Sequence, residues 1–90
     1  HMGHGNGMFI QSALDMAKKY PNLYLETSGM PMHTKIKESY RDIGSDRIMW
    51  GLDAPFHHPA VEMLKPIVSG LTDEELEDVF YNNVKKLLKL

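Results

Sequence analysis

The side chains of this sequence that could carry acid–base or metal chemistry are Asp53, the histidines His1, His4, His33, His57 and His58, and Ser28. Asp53 directly follows an apolar run, Arg47-Ile-Met-Trp-Gly-Leu52, so it should project from the C-terminal end of a strand. Barrels of alternating strands and helices keep their active sites at that end, where a carboxylate can bind a divalent metal or accept a proton from coordinated water. Asp-Ala-Pro is also ordinary turn chemistry, so a turn aspartate is the competing reading. His1 and His4 lie in the glycine-rich stretch His1-Met-Gly-His-Gly-Asn-Gly7, whose backbone lets imidazoles approach a ligand closely. A leading His-Met is also what tag cleavage leaves behind, and on that reading His1 has no role. The adjacent pair His57-His58 reads as a solvated loop, and His33 as a helix-start residue. Ser28 ends a strand beside Gly29 as a turn or capping residue, with no elbow motif to make it a nucleophile. Gly3, Gly5 and Gly7 alternate without the Lys-Ser/Thr pair of a phosphate loop.

The elements that must position these residues alternate between helix and strand. Met8 to Tyr20 places Phe9, Ile10, Ala13, Leu14 and Ala17 at helical spacing, with Lys18 and Lys19 in the last turn and Pro21-Asn22 as the stop. Leu23 to Thr27 is rich in strand formers and ends at Ser28-Gly29. A second helix runs from about His33 to Ile43 with Ile36, Tyr40 and Ile43 on one face, closing at Gly44. Arg47 to Leu52 is nearly uniform in its apolar character, as suits a strand covered on both sides. Pro59 to Val68 reads as a helix with Val61, Leu64, Ile67 and Val68 apolar, which Pro66 should kink or end. Thr72-Asp-Glu-Glu75 has the spacing of a capping box. It opens a helix to Leu90 whose stripe is Leu76, Val79, Phe80, Val84, Leu87 and Leu88. Trp50 and the seven methionines read as core filling.

This order is that of a parallel α/β protein, yet two strands do not make a sheet that stands alone. Composition narrows the function. Apolar content of 42% and charged content of 24% are globular values and exclude disorder as the default state. Twelve acids against ten bases give a net charge of −2, with no basic footprint for nucleic acid and no polybasic stretch for a membrane. No apolar run reaches the roughly 18–20 residues of a membrane span, and the first residues do not form a signal peptide. The absence of cysteine excludes disulfides, thiolate metal clusters and cysteine nucleophiles, and is compatible with a reducing cytoplasm.

Four stretches carry a resemblance: His1-Met-Gly-His-Gly, Asn22-Leu-Tyr-Leu-Glu-Thr-Ser-Gly29, Asp46-Arg-Ile-Met-Trp-Gly-Leu-Asp-Ala-Pro-Phe56 and Asn83-Val-Lys-Lys-Leu-Leu88. In this order and spacing they resemble the C-terminal part of the amidohydrolase-related family, metal-dependent hydrolases with a (β/α)8 barrel. The resemblance covers nearly the whole sequence, and Asp-Arg…Gly-x-Asp-x-Pro is its most specific segment. It implies that residues 1–90 form one partial barrel, about the last third of a fold that runs to about 250 residues. It also implies that Asp53 is the metal-binding carboxylate at the end of the eighth strand, able to shuttle a proton. His1 becomes the histidine of the family's His-x-Gly-Gly strand end, a metal ligand or a catalytic acid/base beside the metal. Leu52 in place of Ser or Thr, Ala54 in place of an aromatic, and His4 within the Gly pair depart from the family pattern.

By resemblance the parent enzyme uses a divalent metal, often zinc, to hydrolyse a small-molecule amide, ester or lactone, while some relatives decarboxylate instead. The His-x-His of the first strand and the ligands of the middle strands are not in these residues, so the isolated chain is expected to be inactive. A reading from another class is a helical interaction module that docks through the stripe from Thr72 to Leu90. The apolar segment Ile48 to Leu52 argues against it. Unpaired strand edges and an apolar face lead to the further expectation of a homo-oligomer or a loosely packed state.

Overall fold

In the computed structural model, which describes residues 1–90, the first helix follows from a cap and a stripe. The Asn6 side chain accepts from the Met8 and Phe9 N–H groups and starts α1 (Gly7–Lys19), which buries Ile10, Leu14 and Ala17. Phe9, expected on that face, is exposed, since it lies about 100° around the helix from Ile10. Gly3 has φ +95°, and a Cβ there would overlap the backbone of Phe9 and Ile10, so only glycine lets the opening loop cross α1 this closely. Met2 is fully buried in the core with Ile10, Leu14, Leu25, Ile36 and Ile48. The opening dipeptide is therefore part of the fold rather than a loose appendage.

β1 (Leu25–Glu26) and β2 (Ile48–Met49) pair in parallel, Leu25 opposite Ile48 and Glu26 opposite Met49, with α2 (Thr34–Ile43) as the crossover between them. This is the expected α/β alternation. The strands are shorter than the segments Leu23–Thr27 and Arg47–Leu52 suggested, because each has only the other as a neighbour. Beyond Met49 the ladder is replaced: Trp50 N–H donates to Val79 O instead of to a third strand. α2 buries Ile36, Ser39, Tyr40 and Ile43 and closes at Gly44, φ +106°.

Arg47 ties these pieces together at their ends. Its Nη1 donates to Ala17 O, Tyr20 O and Leu23 O, and its Nε donates to Ile43 O. The carbonyls at the ends of both helices, which have no partners within their own helices, thus converge on one permanent cation at the entrance to β2.

α3 spans Pro59–Val68 as expected, with His58 capping through Nδ1, which accepts from Ala60 N–H, and Pro59 in the first turn. Its orientation is the reverse of the expected one. Val61, Leu64, Ile67 and Val68 face outward, 48–60% exposed, while Glu62, Lys65 and Pro66 are buried. Pro66 neither ends nor breaks the helix. Proline offers no N–H to the Glu62 carbonyl one turn back, and the Trp50 indole fills the gap, Nε1–H donating to Glu62 O at 2.9 Å.

The capping box forms as the spacing predicts. Thr72 Oγ1 accepts from Glu75 N–H, and Glu75 Oε1 accepts from Thr72 N–H. Glu75 also receives the Arg41 guanidinium, which holds its carboxyl down at about 2. The helix that follows is not uniform: α4 (Asp73–Glu77) passes through a π-helical turn (Asp78–Asn82) into α5 (Asn83–Leu88). In the wide turn Asn83 N–H reaches back five residues to Asp78 O, and Val79 O accepts from Trp50 N–H of the β2 extension. Burial, together with a hydrogen bond to Asp78, pushes the Tyr40 hydroxyl up to about 12, fastening α2 to the same turn. Val79 is the buried centre of the stripe, whereas Leu87 and Leu88, expected to be packed, are exposed.

The radius of gyration, 11.9 Å, matches the roughly 12 Å of a compact chain this long. No helix is long and apolar enough to cross a membrane. Asn83 links the final helix to the sheet through Nδ2, which donates to Ser45 O and Ile48 O. Asn83→Ala leaves the buried Ile48 carbonyl without that partner. It is expected to destabilise the chain by about 1–3 kcal/mol, read from the urea midpoint at unchanged slope.

Candidate metal centre

Asp53 lies four residues beyond β2, in the loop that the strand aims across the end of β1. Its backbone is left-handed, φ +54°, a conformation that aspartate tolerates better than most side chains. The partly buried carboxylate meets two imidazoles. Asp53 Oδ2 is 3.6 Å from His1 Nε2 and 3.5 Å from His57 Nε2. His4, also left-handed at φ +54°, stacks edge-on against His1 with ring centroids 4.9 Å apart. One ligand atom from each of His1, His4 and Asp53 falls within 4.8 Å of the other two.

The tautomer of His1 follows from its neighbours. Its Nδ1 is 2.9 Å from Ser28 O and 2.9 Å from Ser28 Oγ. A carbonyl only accepts, so Nδ1 carries the proton. Ser28 Oγ donates its own hydrogen to Glu26 Oε2 at 2.8 Å and is therefore also an acceptor toward His1. Glu26 Oε1 accepts from Ser28 N–H, and Oε2 lies 3.3 Å from the His1 backbone nitrogen, so one carboxylate at the end of β1 sets both the ring and the main chain. A neutral His1 then presents a lone pair on Nε2 to the Asp53 carboxylate, two Lewis bases facing one point.

His57 repeats the arrangement from the opposite side. Its Nδ1 faces Glu62 Oε1 at 3.7 Å, and its Nε2 faces Asp53. Glu62 is 2% exposed; its Oε1 accepts from Gly29 N–H, while Oε2 lies 2.6 Å from Lys65 Nζ. That last contact is an ion pair without directed hydrogen-bond geometry. Lys65 spends its hydrogen bonds on the carbonyls of Thr27 and Met30, both at 2.9 Å. A cavity of about 350 Å³ opens beside the cluster, bounded by His4, Gly29, Met30, His57, Glu62 and Lys65.

Both residues singled out from the sequence, His1 and Asp53, are thus brought together, and Ser28 hydrogen-bonds the His1 ring. The adjacent histidines divide their tasks: His58 caps α3 and His57 enters the site. Pro59 was the available signal, because a proline in the first turn makes the preceding residue the cap and leaves the one before it free. Glu62 and Lys65 were hidden by the apolar stripe on the other face of α3. His33 stands at the start of α2, as its position suggested.

The ion pair under the site supplies a stability test. Lys65→Met leaves Glu62 charged in a dry position and is expected to destabilise the fold by about 3–5 kcal/mol. Glu62→Gln with Lys65→Met should recover a large part of the loss. Denaturant titration of the single and double variants reads the difference.

Comparison with curated proteins and with solved structures finds no match. The amidohydrolase family profile matches residues 1–90, the whole sequence. With an α/β fold, a strand-end aspartate and a facing histidine in the positions on which the resemblance rested, the chain belongs to the amidohydrolase family.

Proposed function

We propose that this is the C-terminal third of a metal-dependent hydrolase of the (β/α)8 type, in which His1 and Asp53 help to hold a divalent ion, zinc by the family resemblance. The observation that carries the reading is the facing of His1 Nε2 and Asp53 Oδ2 across 3.6 Å, with Nδ1 of His1 already engaged on Ser28. Two ligands of a tetrahedral zinc stand about 3.3 Å apart, so the pair fits such an ion with little movement. Imidazole and carboxylate are ligands that zinc accepts, and the Glu26–Ser28–His1 chain is the outer-shell support that such histidines require.

A divalent ion bound there supplies Lewis acidity and lowers the pKa of a coordinated water. The chain's own contribution is positional. Ser28 fixes the His1 tautomer, and Asp53, on left-handed backbone, brings its carboxylate oxygen Oδ2 to within 3.6 Å of His1 Nε2 and 3.5 Å of His57 Nε2. The adjoining cavity, about 350 Å³, suits a small molecule with an amide, ester or lactone group. The isolated 90 residues are expected to be inactive, since a barrel of this type draws further ligands from strands that these residues do not include.

The test uses the longer protein with its upstream strands. Metal-dependent hydrolysis of an amide, ester and lactone panel should appear, be abolished by chelation, and fall by orders of magnitude in Asp53→Ala. Full activity of that variant would remove Asp53 from the mechanism.

The same reading accounts for the outward apolar face of α3, and we propose that copies of the isolated chain cover it by self-association. Light scattering on the size-exclusion peak should give a dimer or larger species; a monomer would count against the severed-barrel assignment.

A further inference from the structure

We propose that His4 is a third ligand, so that His1, His4 and Asp53 let this chain bind a divalent transition-metal ion by itself. The inference rests on the metal reading of His1 and Asp53 and adds a residue that the family pattern does not contain: His4 stands where the resemblance places a glycine. Three observations carry it. One ligand atom from each of the three residues lies within 4.8 Å of the others, and two imidazoles with one carboxylate form a set that zinc and cobalt(II) accept. His1 is preset as a ligand by Ser28, whereas His4 is exposed, and its ring can close the remaining distance at little cost.

The third observation is the space made for that ring. Gly29 sits at φ +71°, and a Cβ there would stand 2.9 Å from His4 Nε2 and 3.2 Å from two ring carbons. The end of β1 therefore carries the one residue that leaves His4 room beside the cluster. Gly29 is also held from below, its N–H donating to the buried Glu62 carboxylate, so the cradle is fixed rather than incidental. His4 and Asp53 both occupy left-handed backbone, a local strain that clusters at ligand-binding sites.

The experiment titrates the 90-residue chain with zinc by calorimetry and with cobalt(II) by visible absorption, with circular dichroism to confirm folding. One ion per chain is expected. His4→Ala should weaken binding at least about 10-fold, and Asp53→Asn should do the same, while His33→Ala leaves affinity unchanged. His4→Cys should restore binding and add a near-ultraviolet thiolate-to-cobalt band, a signature that a merely structural role for position 4 cannot produce. A chain that binds no ion, or a folded His4→Ala variant with unaltered affinity, overturns the inference. Loss of binding in Asp53→Asn with none in His4→Ala removes His4 alone and leaves the His1–Asp53 reading standing. Loss in His4→Ala with none in Asp53→Asn overturns both.

Discussion

An ammonium group in the interior, held by two carbonyls and one carboxylate, is the constraint on which the site depends. Lys65 Nζ has Thr27 O, Met30 O and Glu62 Oε2 around it and almost no water. Burying that charge is tolerable only with all of these partners in place, and they belong to the end of β1, the loop after it and α3 itself. The arrangement therefore dictates which way α3 faces. With Lys65 and Glu62 inward, the residues on the opposite side of the helical wheel must face outward, and so Val61, Leu64, Ile67 and Val68 form an apolar exterior. The same rotation brings Glu62 under His57 and Gly29, where it supports the wall of the cluster.

Around this pair, single residues connect elements that have little sheet to share. Arg47 gathers four carbonyls from the ends of α1 and α2 and the approach to β1, fixing where β2 begins. Trp50, just past β2, uses both of its N–H groups: the main chain reaches Val79 in the π turn and the indole reaches Glu62 in α3. Each supplies a donor to a carbonyl that its own helix leaves open, one through the width of a π turn and one through a proline. The loop bearing Asp53 is thus anchored at Trp50 before it crosses to His1. A two-residue strand pair positions a candidate metal centre because these side chains do the work that further strands perform in a larger sheet.

This economy leaves the surface incomplete. Phe9, Phe56, Val61, Leu64, Leu88 and Leu90 are each more than half exposed, although a core of twelve apolar residues is buried. Charge cannot be hidden more cheaply by turning α3 around, since that would put Lys65 and Glu62 in water but strip Thr27 and Met30 of their donor. On α3 the apolar outer face is the consequence of a charged inner one.

The sequence by itself determined the local features, because each depends on neighbours along the chain. The capping box at Thr72, the proline start of α3, the glycine stop after α2 and the α/β alternation all follow from spacing and side-chain type. The strand-end carboxylate Asp53 and its partner His1 were legible too, through segments that resemble a known family. What the tertiary structure alone decided is what depends on contacts between distant residues. Periodicity locates an amphipathic helix but does not say which face turns inward, and in α3 the buried ion pair reversed the choice that hydrophobicity favours. His57 differs from His58 only by what lies opposite it, Glu62 and Asp53. The π turn exists where the Val79 carbonyl meets Trp50, and His4 reaches the cluster because Gly29, far along the chain, leaves it space. Each of these joins residues that the sequence holds apart, and no local spacing encodes them.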